Sequence, residues 1–282
     1  MKHFLILAFF LLPFADAEEV RPNVLLITVD DMSADSLGCF GCKLKDTSPC
    51  TDQLARESLR FQHAHVCVAN CYPSRNVMFS GLYPHNNGVE GFYPIKNKYP
   101  ILCDILKSNG YYTAIRGKVT HSTPYHPYPG WDHDLTIAPD GSKYHIKDVS
   151  SYGTSTTTGI THAKEAKKPF FLNLNISDPH KPFWKPGDQT KHPASRTFKA
   201  DEVPIPGFLF DHPKVREELA LYYSSVRRAD DAVGSILDAL KKSGEANNTI
   251  IIFLSDHGMP LPFAKTALWH HSTHTPLIIK IP

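Results

Sequence analysis

Four residues able to hold a hard cation stand at the ends of two apolar runs. Val24-Leu25-Leu26-Ile27-Thr28-Val29 leads straight into Asp30 and Asp31, and Ile250-Ile251-Ile252-Phe253-Leu254-Ser255 leads into Asp256, His257 and Gly258. Adjacent carboxylates at the end of a buried strand raise each other's pKa unless a cation sits between them. One such pair is more often a solvated loop or a helix N-terminus. A second strand end with a carboxylate shifts the balance towards a divalent-cation site built from hard oxygen donors. Between the two lies Asn70-Cys71-Tyr72-Pro73-Ser74-Arg75. The ordinary reading of its cysteine is a disulfide with Cys67.

The elements that must position these groups are read from hydrophobic patterning. Runs at Val24–Val29, Phe170–Ile176, Ile250–Leu254 and Leu277–Ile281 have the length and β-branched content of strands buried on both faces. Helices are expected over Thr51–Arg60, opened by a Thr cap, and over Lys214–Lys242, where Leu219, Tyr222, Tyr223, Val226, Ala229, Val233, Ile236, Leu237 and Leu240 recur at helical spacing. The strand-helix-strand alternation implies an α/β layered fold: a central, mostly parallel mixed sheet covered by helices on both faces, with functional groups at the carboxyl ends of strands.

Cys71-Tyr72-Pro73-Ser74-Arg75 resembles the Cys-x-Pro-Ser-Arg signature of the formylglycine-dependent sulfatases, and the strand ends in Asp-Asp and Ser-Asp-His-Gly fall in that family's order on either side of it. The resemblance covers nearly all of residues 22–282. It implies an alkaline-phosphatase-like superfold and a formylglycine derived from Cys71 by a formylglycine-generating enzyme. It also implies one Ca2+ held by Asp30, Asp31, Asp256, His257 and the oxidised Cys71. Arg75 matches the residue that steadies the aldehyde hydrate. Gly117-Lys118-Val119-Thr120-His121 is similar to the family's Gly-Lys-x-x-His element, Asp178-Pro179-His180-Lys181-Pro182 to its Asp-Pro-His segment, and Lys265 falls at a second sulfate-binding cation. A sulfate ester needs cations on its nonbridging oxygens, a strong nucleophile and a proton donor. The implied roles follow: Lys118 and Lys265 neutralise the sulfate, His121 takes a proton from the hydrate, and His180 protonates the leaving group. Ser255–Pro262 with Lys265 is similar to the heparan N-sulfatase branch, while Gly117–His121 and Thr273–Leu277 are similar to the iduronate-2-sulfatase branch. A sulfated carbohydrate, such as a glycosaminoglycan unit, is the implied substrate. A phosphodiesterase or phosphonate hydrolase of the same superfold, and a non-catalytic glycan-binding homologue, are the competing readings.

Composition bounds the rest. The chain has 282 residues, 41% of them hydrophobic, and 30 basic against 28 acidic residues give a formal charge of +2. No global field favours nucleic acid or an anionic membrane. Residues 1–17 read as a secretory signal peptide, with Lys2 and His3 before the apolar stretch Phe4–Phe14 and a small-x-small end at Ala15-Asp16-Ala17. That stretch is too short to span a bilayer, so no stable membrane insertion is expected, and export leads to a secreted, periplasmic or lysosomal location. Residues 18–282 then form one catalytic domain, expected to lack the family's C-terminal subdomain and to leave Leu277–Ile281 as an under-covered terminal strand with an open sheet edge. Cys39, Cys42, Cys50 and Cys67 are close enough in sequence for a bridge, Cys103 reads as a core thiol, and zinc-knuckle spacing is absent. Asn175-Ile176-Ser177 and Asn247-Asn248-Thr249 fit the N-glycosylation pattern, the first in a buried strand and the second in a polar turn.

Overall fold

The computed structural model describes residues 21–188 and 191–282, so the expected signal peptide at 1–17 lies outside the described residues. The chain runs through β1 (Asn23–Asp30), α1 (Pro49–Arg56), β2 (Leu59–Arg60), α2 (Cys71–Ser80), α3 (Pro84–Asn87), α4 (Leu102–Ser108) and β3 (Tyr112–Arg116). It continues through β4 (His133–Asp134), α5 (Val149–Glu165), β5 (Phe170–Pro179), α6 (Pro213–Lys242), β6 (Thr249–Ser255), α7 (His270–Thr273) and β7 (Leu277–Lys280). The strands form a seven-stranded sheet in the order β2-β7-β6-β1-β5-β3-β4. β6, β1, β5, β3 and β4 run parallel, while at one side β7 pairs antiparallel to β6 and β2 antiparallel to β7.

The central strands are continuous apolar runs because both faces are covered. Leu25, Ile27, Val29, Leu172, Leu174 and Ile176 pack on one side with Leu219, Tyr222, Val226 and Val233 of α6 and with Tyr152 and Ile160 of α5. Leu26 and Phe171 point to the other side, where Phe79 of α2 and Cys103 of α4 close a smaller core. Cys103 is fully buried, as a core thiol.

The sequence reading needs three corrections. The first helix begins at Pro49, not Thr51, and stops at Arg56, with Leu59–Arg60 pairing as a strand against β7. Its Pro sits in the first turn, where no amide hydrogen is needed. Its end is capped from outside: Asp230 of α6 accepts hydrogen bonds from the Cys50 and Thr51 amides at 2.8 and 2.7 Å. Second, β7 is not a sheet edge, because β2 pairs along its outer side and Ile278 is buried between them and the core. Third, Cys39, Cys42, Cys50 and Cys67 form no bridge; all four are free thiols, as is Cys71.

Candidate active site

Parallel strands deliver their carboxyl ends to one edge of the sheet. In the neighbouring strands β6, β1, β5 and β3, those ends are followed or closed by Asp256-His257, Asp30-Asp31, Asp178-Pro179-His180 and Gly117-Lys118. All but one of the residues singled out from the sequence therefore meet along this edge; His121 stands slightly apart, in the turn that follows Lys118.

Cys71 opens α2, and Cys71, Ser74 and Arg75 share one helical face by their i, i+3 and i+4 spacing. That face explains the motif. The Ser74 hydroxyl donates to the Asp256 carbonyl oxygen at 2.6 Å, and Arg75 Nε donates to Asp256 Oδ2 at 3.0 Å. Arg75 Nη1 donates to Thr28 Oγ1 at 3.1 Å and to Asn175 Oδ1 at 2.6 Å. Thr28 and Asn175 are register partners on β1 and β5, so the sheet itself sets this receptor. Asn175 also donates from Nδ2 to the Arg116 and Gly117 carbonyl oxygens at 3.1 and 2.8 Å, holding the turn that carries Lys118. Gly117 has φ +67°, and a Cβ there would stand 2.7 Å from the Asn175 carbonyl oxygen, so only glycine fits. The sequon at Asn175 is thus a buried structural element, whereas Asn247 is exposed.

Asp30, Asp31, Cys71 and His257 are all buried and bring one ligand atom each to within 4.8 Å of one another. Cys71 Sγ lies 3.6 Å from Asp30 Oδ1, 3.9 Å from Asp31 Oδ1 and 3.2 Å from His257 Nε2. Asp256 stands at the edge of the group: its Oδ1 accepts the Asp31 amide at 3.1 Å and is 3.7 Å from His257 Nε2. The positive φ of Asp31, 68°, turns its side chain back beside Asp30. The donor set suits a divalent cation, with buried carboxylate oxygens and an imidazole nitrogen converging on one point.

Cations neutralise the cluster from two sides. Lys118 Nζ forms an ion pair with Asp30, and Lys265 Nζ sits 2.8 and 3.0 Å from the two Asp31 oxygens and 3.5 Å from Cys71 Sγ. Burial opposes ionisation of Asp30, but Arg75 and Lys118 outweigh it and hold its carboxyl well below the usual range. Burial and the Asp30 charge push Asp256 up against the pull of His257 and Arg75. Burial, then the charges of Asp256, Asp30 and Asp31, push the Cys71 thiol up to about 12. Lys265 loses to burial but gains more from Asp31, and its pKa is raised.

His180 Nδ1 lies 2.5 Å from the Lys181 carbonyl oxygen, to which it donates, and Nε2 is 3.9 Å from Asp31 Oδ2. His121 touches none of the carboxylates. It packs edge-on against Tyr72 and lines a cavity of about 300 Å3 together with Lys118 and His180. Burial, then Lys118 and Arg75, depress its pKa to about 4. Sequence reasoning missed the supporting groups: Thr28, Asn175, Lys147 and Arg228. Lys147 Nζ donates to Asp178 Oδ1 and to the His180 carbonyl oxygen at 2.7 and 2.8 Å. Asn175 alone carried a signal, a polar residue inside a buried apolar strand.

The sulfatase family model matches residues 22–282. The chain belongs to the sulfatase family. Among its relatives, human N-sulphoglucosamine sulphohydrolase is 30% identical over 93% of this chain and 56% of its own length. Human iduronate 2-sulfatase is 32% identical over 92% of this chain and 60% of its own length. This sulfatase-family chain therefore spans under two thirds of the length of those relatives. Two solved structures share its fold. A protein studied for the metabolism of multiple glycosaminoglycans by Bacteroides thetaiotaomicron matches with TM-score 0.72 at 19% identity, over 93% of this chain and 67% of its own. The phosphonate monoester hydrolase of Agrobacterium radiobacter matches with TM-score 0.68 at 20% identity, over 92% and 68%. The expected α/β superfold, with a mostly parallel sheet covered on both faces, is the one observed.

Proposed function

We propose that this chain hydrolyses a sulfate ester or sulfamate on a sugar, of the kind its relatives' names describe, with Cys71 matured to formylglycine and one Ca2+ held by Asp30, Asp31, Asp256 and His257. The observation that carries this reading is the position of Cys71 Sγ: 3.2 Å from His257 Nε2, 3.6 Å from Asp30 Oδ1 and 3.5 Å from Lys265 Nζ, at the first turn of a helix. Matured by a formylglycine-generating enzyme, this side chain would supply two hydroxyls as an aldehyde hydrate, one to attack sulfur and one to release sulfate, and calcium would acidify the attacking one.

The chain's own groups do the remainder. Lys118 and Lys265 stand on opposite sides of the cluster and cradle the sulfate oxygens, where charge grows as the S–O bond breaks. Arg75 keeps Asp256 and Asp30 aligned from behind and stays out of the cavity, since it is wholly buried. His180, oriented by its Nδ1 contact with the Lys181 carbonyl, offers Nε2 as the proton donor to the leaving oxygen or nitrogen. His121 is kept in its neutral form by burial, then by Lys118 and Arg75, which is the form a base must have before it takes a proton.

The signal-like segment at residues 1–17 directs the chain to the secretory route, towards a periplasmic, lysosomal or external site; no described helix is long and apolar enough to cross a membrane. Turnover of matched sulfate and phosphate esters tests the reading against the phosphonate-hydrolase alternative. A sulfate preference with an aldehyde at position 71 is the expected result, and a phosphate or phosphonate preference would reject it.

A further inference from the structure

Beyond His121, the cavity between Lys118 and His180 adjoins a second of about 400 Å3, and Thr120 and His121 line both. The second cavity is walled by Tyr72, Phe92, Tyr93 and Tyr125, with His126 at its rim, and no carboxylate lines it. Phe92 and Tyr93 are 57% and 45% exposed, a large uncovered aromatic surface beside a highly charged site. The walls are tied in place. Tyr72 Oη donates to the Pro124 carbonyl oxygen at 2.7 Å, and the Ile95 amide donates to the same oxygen at 2.9 Å, joining the loop of Phe92 and Tyr93 to that of Tyr125 and His126. Phe92 stacks on Tyr72, with ring centroids 6.2 Å apart, and meets His121 edge-on at 5.7 Å.

We propose that this aromatic cavity seats a pyranose ring of the substrate and thereby selects a sulfated sugar over a compact sulfate ester. A pyranose has an apolar face of C–H bonds and an equatorial belt of hydroxyls. The face lies on the Phe92 and Tyr93 rings, and the belt meets the phenol oxygens of Tyr93 and Tyr125 and the ring nitrogens of His126. Because Tyr72 follows Cys71 directly and His121 divides the two cavities, a sugar here keeps its sulfate on the Lys118 and His180 side. The inference rests on the hydrolase reading only for where the sulfate lies.

The test uses the full chain and a Phe92→Ala, Tyr93→Ala double variant, both at exposed positions. Calorimetry measures binding of an unsulfated glucosamine–uronate disaccharide, and kinetics compare the sulfated disaccharide with nitrocatechol sulfate. The variant should bind the disaccharide about ten-fold more weakly and show a similar rise in KM on the sulfated sugar, with a much smaller change on the aryl ester. Unchanged disaccharide binding, or equal losses on both substrates, overturns the proposal, the latter pointing to an arene-binding pocket or a general disturbance. A parent protein that binds the disaccharide but releases no sulfate from any ester keeps the subsite and defeats the hydrolase reading. One that turns over the aryl ester without binding the disaccharide does the reverse.

Discussion

Arg228 closes a two-point fork on Asp178, with Nε 2.7 Å from Oδ2 and Nη2 3.2 Å from Oδ1, in a place where their side chains are 2% and 3% exposed. Lys147 completes the clamp at 2.7 Å from Asp178 Oδ1. The clamped carboxylate lies two residues before His180, so a helix on the sheet's face positions a candidate proton donor. Arg228→Ala takes the fork from a buried carboxylate that keeps Lys147 as its counter-charge, so the cost falls below the roughly 3–5 kcal/mol of an uncompensated buried charge. The denaturation midpoint should fall accordingly, and turnover should fall beyond what the unfolded fraction explains. Arg228→Lys should recover only part of the stability, because an ammonium cannot form the fork. An unchanged midpoint in Arg228→Ala would mean that the fork does not stabilise the fold.

This clamp also shows where sequence reading stops. The central strands were legible because burial on both faces writes itself as unbroken apolar runs, as in Val24–Val29 and Ile250–Leu254. α2 was not, because its buried residues include Cys71, Ser74, Arg75 and Asn76, which face the site and leave no apolar stripe. α5 was hidden by serines, threonines and two glycines. A Cβ at Gly153 or Gly159 would run into Ser235 of α6 or Leu172 of β5, so close packing replaced the large apolar residues that announce a helix. The site residues at strand ends could be found from their types and order. Their supports could not: Arg228 and Lys147 look like ordinary surface charges until the fold buries them.

The maturation of Cys71 gives a direct chemical prediction. Peptide mass spectrometry should find an aldehyde at position 71 in protein made with a formylglycine-generating enzyme, and Cys71→Ala and Cys71→Ser should release no sulfate. In protein made without that enzyme and stripped of metal, Cys71 should resist alkylation at pH 8, where a thiol with a pKa of about 12 is ionised in only about one molecule in ten thousand. Exposed Cys67 should be modified readily. Rapid labelling of Cys71 would contradict the raised thiol pKa, and full turnover with an intact thiol would contradict the mechanism.

The carboxylate cluster predicts calcium-linked stability that can be read without activity. Asp30, Asp31 and Asp256 crowd their charges into one buried site, and a divalent cation binding only the folded state stabilises it by mass action, by about 2.7 kcal/mol at a hundred-fold excess over Kd. The melting temperature should rise with added calcium and return with chelator. Asp31→Asn should shift the calcium dependence to higher concentration. It also loses the charge facing Lys265, so the comparison is of the calcium response rather than of the baseline. A melting temperature indifferent to calcium and chelator alike would place the cation elsewhere.

His121 fixes the sign of a pH effect. Its ordinary pKa of 6.5 is depressed to about 4 by burial, then by Lys118 and Arg75, so the folded state favours the neutral ring. A depressed folded pKa means that the unfolded chain binds the proton first as pH falls. The stability contributed by the neutral ring is complete above 6.5 and is lost progressively as pH falls towards about 4. His121→Gln keeps a polar group with no titratable proton, so the variant should lose less stability than the parent across that window, and the two should run parallel above it. The half-buried ring is partly screened by water, which makes the slope rather than its size the quantity to compare. Denaturant midpoints measured at a series of pH values decide it: parallel curves throughout would mean that the imidazole is protonated as easily in the fold as outside it, and would withdraw His121 as a base held ready in mildly acid solution.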